Sequence, residues 1–106
     1  MIPFTDDTIT IRVKGVNLTS ANEVKVTFRQ GKTIHTFDTP SLSFNGEYIT
    51  VQLTQEDTAK FKPTGDYNAE KCLAIVNWFD QTMRKGSTVV EINVEKQLLQ
   101  RVIHYG

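Results

Sequence analysis

One stretch constrains this chain more than any other. It runs from Leu53 to Ile75: Leu-Thr-Gln-Glu-Asp-Thr-Ala-Lys-Phe over 53–61, then Lys-Pro-Thr-Gly, Asp66-Tyr67, and Cys72-Leu-Ala-Ile75. An alternating run ends, a single helical turn follows, and a long apolar run begins. Thr54 is placed to cap the turn, and Asp57, three residues on, is placed to answer the cap and to sit at the turn's positive end. Ala59 and Phe61 are expected to face the core. Lys62-Pro63-Thr64-Gly65-Asp66 then resets direction. A turn of this kind takes a chain out of one sheet and into another.

The segments on either side are strands. Thr8 to Lys14 alternates Ile9, Ile11 and Val13 with polar residues, so one face is buried and one wet. Gly15 ends that run, and Val16 to Asn22 is a polar link pinned by two apolar residues. Glu23 to Gln30 sends Val24, Val26 and Phe28 one way and Lys25, Thr27 and Arg29 the other. A turn at Gln30-Gly31-Lys32 and a strand from Thr33 to Phe37 complete a hairpin. Pro40 breaks pairing because it has no backbone donor. Leu42 and Phe44 suggest a short edge strand. Asn45-Gly46 is the strongest hairpin signal, and Tyr48 to Leu53 follows with Ile49, Val51 and Leu53 inward.

Tyr67 to Phe79 is the longest apolar-rich run. Cys72 to Val76 is unbroken, as in a central strand buried on both faces; a buried helix is the rival reading. Ile75 and Val76 are β-branched and favour the strand. Thr82 to Val94 returns with Val90, Ile92 and Val94 inward, and Gly86-Ser87 suggests a bulge or bend. After Glu95 the period changes. Leu98, Leu99, Val102 and Ile103 fall at helical spacing, so a C-terminal helix or arm over 96–106 is expected, too short to stand without packing on something. About seven strands at short, even spacing describe one all-β domain over 1–106, an antiparallel immunoglobulin-like sandwich. At 106 residues it can bury a core without metal or disulfide staples.

Twelve basic residues balance twelve acidic ones. A nucleic-acid surface normally shows a basic patch, so no such partner is expected. Near-zero net charge gives little colloidal repulsion and points to self-association or a permanent partner. The lone Cys72 cannot form an intrachain disulfide, which fits a reducing compartment or a particle assembled in a bacterial cytoplasm. The opening Met-Ile-Pro-Phe-Thr-Asp-Asp lacks the basic and apolar regions of a signal peptide. No apolar run is long enough for membrane insertion. Asn17-Leu18-Thr19 matches a glycosylation sequon without a secretory context to use it.

Candidate chemistry is thin. Neither His35 nor His104 has a second His or Cys at metal-ligand spacing, so surface or structural roles are expected. Apolar neighbours make Cys72 a buried hydrophobe, not a nucleophile. The adjacent carboxylates Asp6-Asp7 and Glu56-Asp57 read as caps and solvated charge, since glycosidase acids sit across a cleft. No phosphate loop, nucleophile elbow or HExxH occurs. Neither catalytic, metal nor cofactor-binding residues are therefore expected. Trp78, with Tyr67 and Tyr48, is open to two readings: core or interface aromatics, or a platform for sugar. Tyr67 is also placed to brace the preceding turn as a tyrosine corner, making Thr54, Asp57, Phe61 and Tyr67 the fold-defining set.

The order of these features carries a resemblance. A strand like Glu23–Gln30, a hairpin, the Leu-Thr-Gln-Glu-Asp-Thr-Ala corner at 53–59, a long strand, a last strand at Val89–Val94 and a Leu-rich tail follow one another. The pattern resembles small β-sandwich proteins from tail regions of phages and prophages of Gram-positive gut bacteria. It is also similar to the N-terminal immunoglobulin-like module of phage upper baseplate proteins. The resemblance covers most of 8–99 and brings no catalytic residue with it. It implies a non-enzymatic structural or adaptor protein of a virion tail or baseplate. Such a protein would dock on other phage proteins or, as a homo-oligomer, on itself, through strand edges and the Leu98/Leu99/Val102/Ile103 arm. A carbohydrate-binding module built on Trp78 is the alternative, and a small enzyme uniting His35 or His104 with a carboxylate is a third.

Overall fold

The computed structural model describes residues 1–65, 70–79 and 85–95. Its strands are β1 (Asp7–Arg12), β2 (Glu23–Gln30), β3 (Thr33–Asp38), β4 (Leu42–Asn45), β5 (Tyr48–Leu53), β6 (Cys72–Phe79) and β7 (Lys85–Ile92), with one short helix, α1 (Gln55–Thr58). They form two antiparallel sheets, ordered β1-β5-β4 and β3-β2-β6-β7. This is the immunoglobulin-like order: β1, β5 and β4 take the B, E and D places, and β3, β2, β6 and β7 take C′, C, F and G. Among the described residues no strand takes the A place beside β1.

Alternation puts the core between the sheets. Val24, Val26 and Phe28 of β2, Ile49, Val51 and Leu53 of β5, and Cys72, Ala74 and Val76 of β6 are all buried. Each large apolar side chain removed from water contributes about 1.5–3 kcal/mol before entropy is counted. Phe28 meets Phe37 and Phe61 edge-on, with centroids 5.8 and 6.3 Å apart. Those contacts tie β2, β3 and the corner after α1 to one ring. Leu18, in a 3₁₀ turn at Leu18–Ser20, pins the link between β1 and β2 to the core.

The β2–β3 and β4–β5 hairpins both turn on glycine. Gly31 and Gly46 have φ of +59°, and the residues that follow them do not share the positive sign. Since Gln30 pairs with Thr33 and Asn45 with Tyr48, the loops are Gly31-Lys32 and Gly46-Glu47. That is the sign pattern of type II′, where glycine stands first. Asn45 is thus the last residue of β4 and not a turn residue, one position off the sequence expectation.

The corner at 53–61 takes the chain from the three-stranded sheet into the four-stranded one, as expected. Thr54 accepts from the Asp57 N–H at 3.2 Å, and the Asp57 carboxylate accepts from the Thr54 N–H at 2.9 Å, a complete capping box. Phe61 is buried, but Ala59 is only half-buried. The buried residue of α1 is Thr58. Its hydroxyl donates to the Thr5 carbonyl at 2.7 Å and accepts from the Thr5 N–H at 3.2 Å. A polar residue can sit there because its hydrogen bonds are met.

Two further expectations are corrected. β6 is central in its sheet, yet only its inner face is buried; Leu73 and Ile75 on the outer face are half-exposed. No bulge occurs at Gly86-Ser87, because β6 and β7 pair without a break from Cys72↔Ile92 to Phe79↔Lys85. Gly86 serves another purpose: the Trp78 indole occupies the space a Cβ would need. Tyr67, with the tyrosine-corner role assigned to it, and the arm residues Leu98, Leu99, Val102 and Ile103 lie outside the described residues, as does His104.

Candidate functional site

The predicted aromatic platform is not assembled from the residues described. Trp78 pairs with Val24 and Gly86 and shares their inward side of the four-stranded sheet. It packs half-buried against the core. Tyr48 pairs with Arg12 and Asn45 on the outer side of the other sheet, with the Arg12 guanidinium 5.8 Å from its ring centroid. One aromatic therefore points between the sheets and the other away from them. A shallow depression of about 440 Å³ is lined by Trp78 and Gly86 together with Glu23, Lys25, Asn77, Phe79 and Lys85.

His35 is engaged in a way its sequence neighbourhood does not reveal. Its Nε2 lies 3.1 Å from Asp57 Oδ1, and Lys60 Nζ lies 3.3 Å from its Nδ1. An ammonium has no lone pair with which to accept, so Nδ1 accepts and Nε2 donates to Asp57. Burial pushes the Asp57 carboxyl up, but the Thr54 N–H and hydroxyl, with His35 and Lys60, outweigh it and hold it below the usual range. Asp57 thus completes a cap and fastens β3 to the corner. No nucleophile or third ligand joins this pair: among the described residues no group of three His, Cys, Asp or Glu side chains is placed to hold a metal ion.

Cys72 is buried, and burial pushes its thiol up to about 11. A thiol held neutral by desolvation is a poor nucleophile. Asp6 is occupied structurally, accepting from the Gln55 N–H at 3.0 Å. Glu47 bridges the Gly15 N–H and the Arg12 guanidinium, and those bonds lower its carboxyl.

What stands out instead is the outer face of the four-stranded sheet. Ile34 and Val89 are 60% and 55% exposed there. Half-exposed Leu73 and Ile75 lie between them in the same outward phase. Arg29, paired with both Ile34 and Leu73, separates Ile34 from the contiguous cluster of Leu73, Ile75 and Val89, and Lys25, 3.4 Å from Glu23, Lys85 and Glu91 frame the rest of the face. Sequence reasoning passed over the patch, although one signal was present. Val89-Val90 is an apolar doublet in an alternating strand, so one member has to face out.

No known protein family, no curated protein and no solved structure matches this chain.

Proposed function

We propose that the protein is a non-enzymatic structural or adaptor module of a phage or prophage tail or baseplate, acting by protein–protein packing. The observation that carries the packing is the contiguous outward cluster of Leu73, Ile75 and 55%-exposed Val89, on one face of an otherwise well-packed sheet. A contiguous apolar cluster on a sheet face rimmed by charge is the kind of surface that meets another protein. The assignment to a tail rests on the resemblance of the 53–61 corner and of the strand order around it. Fold alone does not fix function, so the particle itself is the test.

Particles induced from the strain that encodes the chain should be purified through a density gradient. Quantitative mass spectrometry should find the chain in a fixed ratio to the major tail subunit. Its absence from intact particles that carry every other tail protein overturns the tail reading.

A further inference from the structure

Strand edges offer unpaired backbone groups, and natural sheets blunt them with charge, proline, bulges or short length. Three of the four edges here are blunted. β1 begins with Asp7 in the inward phase of Ile9 and Ile11. β3 carries His35 inward, bound to Asp57, and runs into Pro40. β4 is only four residues long. β7 carries charge only near its two ends, at Lys85 and Glu91: it pairs with β6 without a bulge over its whole length, and its inward residues Gly86, Thr88, Val90 and Ile92 are uncharged.

The bonds beyond β7 show which backbone groups face outward from the edge. Asn93 O accepts from the Met1 amino nitrogen at 3.0 Å, and the Glu95 N–H donates to Met1 O at 2.8 Å. Odd-numbered residues therefore aim their N–H and C=O at the open side. By alternation, so do Lys85, Ser87, Val89 and Glu91, while the even residues bond to β6. Met1 closes the edge from Asn93 onward. Among the described residues nothing pairs with the run from Lys85 to Glu91.

That run is complementary to itself. Reversed about Thr88, Lys85 stands opposite Glu91, and Ser87 opposite Val89, so residues with outward-facing backbone groups meet each other. On the inner face Val90 stands opposite Gly86, beside the indole of Trp78. We propose that two copies of the chain join β7 to β7, antiparallel about a two-fold axis at Thr88, fusing their four-stranded sheets into one. This rests on the packing reading above and names the partner as a second copy. Two Lys85–Glu91 pairs then flank the axis, and Val90 of the second copy covers Trp78. A two-fold, self-complementary contact of this kind closes on itself and does not propagate into fibres.

Sedimentation equilibrium on the full chain tests the pairing. Wild type should show twice the chain mass at micromolar concentrations, and Trp78 emission should shift as the dimer dilutes apart. Lys85→Glu sets like charges opposite each other at both ends and should weaken association about tenfold. Adding Glu91→Lys should restore it to within about threefold. Ser87→Pro removes an edge donor without touching the bonds to β6 and should weaken association about a hundredfold or more. Far-UV circular dichroism confirms that each variant is folded, and the double charge reversal keeps the test decisive if Ser87→Pro is not. A wild-type monomer up to about millimolar concentration overturns the self-pairing, whatever the particle experiment finds. A dimer indifferent to Lys85→Glu and Ser87→Pro overturns the β7 edge and leaves packing through another surface standing.

Discussion

His35 Nε2 lies 3.1 Å from Asp57 Oδ1, across a sequence gap that no local motif spans. The contact joins the edge strand β3 to the capped turn through which the chain changes sheets. Both side chains are largely shielded, at 26% and 16% exposure. Phe37 meets the imidazole edge-on at 4.6 Å and fixes the plane of the ring. A single carboxylate therefore serves the helix cap and the link between sheets, so its loss is felt twice.

Asp57 should make the fold acid-sensitive in a defined window. Its carboxyl is held below the usual range, so the folded state favours the charged form. The stability it contributes is complete above the unfolded value of about 3.9 and is lost as pH falls through the lower folded value. Asp57→Asn should cost about 1 kcal/mol at neutral pH, the scale of a lost cap contact. Urea unfolding of both proteins from pH 7 down to pH 2 should show that gap closing below about pH 4. A gap that stays constant across the series would show that the charge is not what matters. Nitrogen NMR should find His35 as the Nε2–H tautomer.

Gln30 is a buried amide that ties the end of β2 to the segment after the corner. Its Nε2 donates to the Lys62 and Glu70 carbonyls at 2.8 and 2.9 Å, and its Oε1 accepts from the Lys62 N–H at 2.7 Å. Gln30→Leu keeps the volume but strands all three backbone groups. The cost should be about 2–3 kcal/mol, read as a lower urea midpoint with an unchanged slope. Gln30→Glu should cost more at neutral pH, because a carboxylate oxygen would then face two carbonyls. A Gln30→Leu variant as stable as wild type would mean that water reaches those groups.

The sheet architecture was legible because alternation is strict where a strand has one wet face. β2 and β5 fall where the pattern puts them, from Glu23 to Gln30 and from Tyr48 to Leu53. The Thr54–Asp57 box was legible because capping is local chemistry at a fixed spacing. β6 was misread as buried on both sides, since Leu73 and Ile75 look the same in sequence whether they meet a second layer or face out. Gly86 was misread as a bulge because a glycine that receives a neighbour's ring has no local mark of its own. The His35–Asp57 link and the open edge of β7 depend on which strands become neighbours, and a single strand does not carry that information.

Cys72 should be silent to thiol reagents until the protein unfolds. It is buried, and burial pushes its thiol up to about 11. With the folded value raised, the neutral thiol's contribution is complete below the unfolded value of about 8.5 and is lost as pH rises toward the folded one. A disulfide reagent at pH 8 should react at the rate of global unfolding and immediately in denaturant. Cys72→Ala should leave the alkaline side of the stability curve flatter and cost about 1 kcal/mol for the lost packing. Rapid native-state labelling would show that the strand opens locally.

Gly86 and Trp78 form the last testable pair. They are cross-strand partners, and the indole lies where a Gly86 side chain would project. Gly86→Ala forces the ring out of its place between the sheets, against Val24 on its other flank. Overpacking of this kind costs about 1–3 kcal/mol, so the urea midpoint should drop and the emission maximum should move to the red as the indole gains water. Trp78→Leu should relieve the clash: in the Gly86→Ala background it should cost less than it does alone, a coupling that a double-mutant cycle measures directly. The same fluorescence separates packing from sugar recognition. Soluble glycans should leave Trp78 emission unchanged, because the indole packs against the core and Gly86 and Tyr48 lies on the outer side of the other sheet, so the two rings form no common platform. Saturable quenching by a glycan, lost in Trp78→Leu, would overturn that assignment.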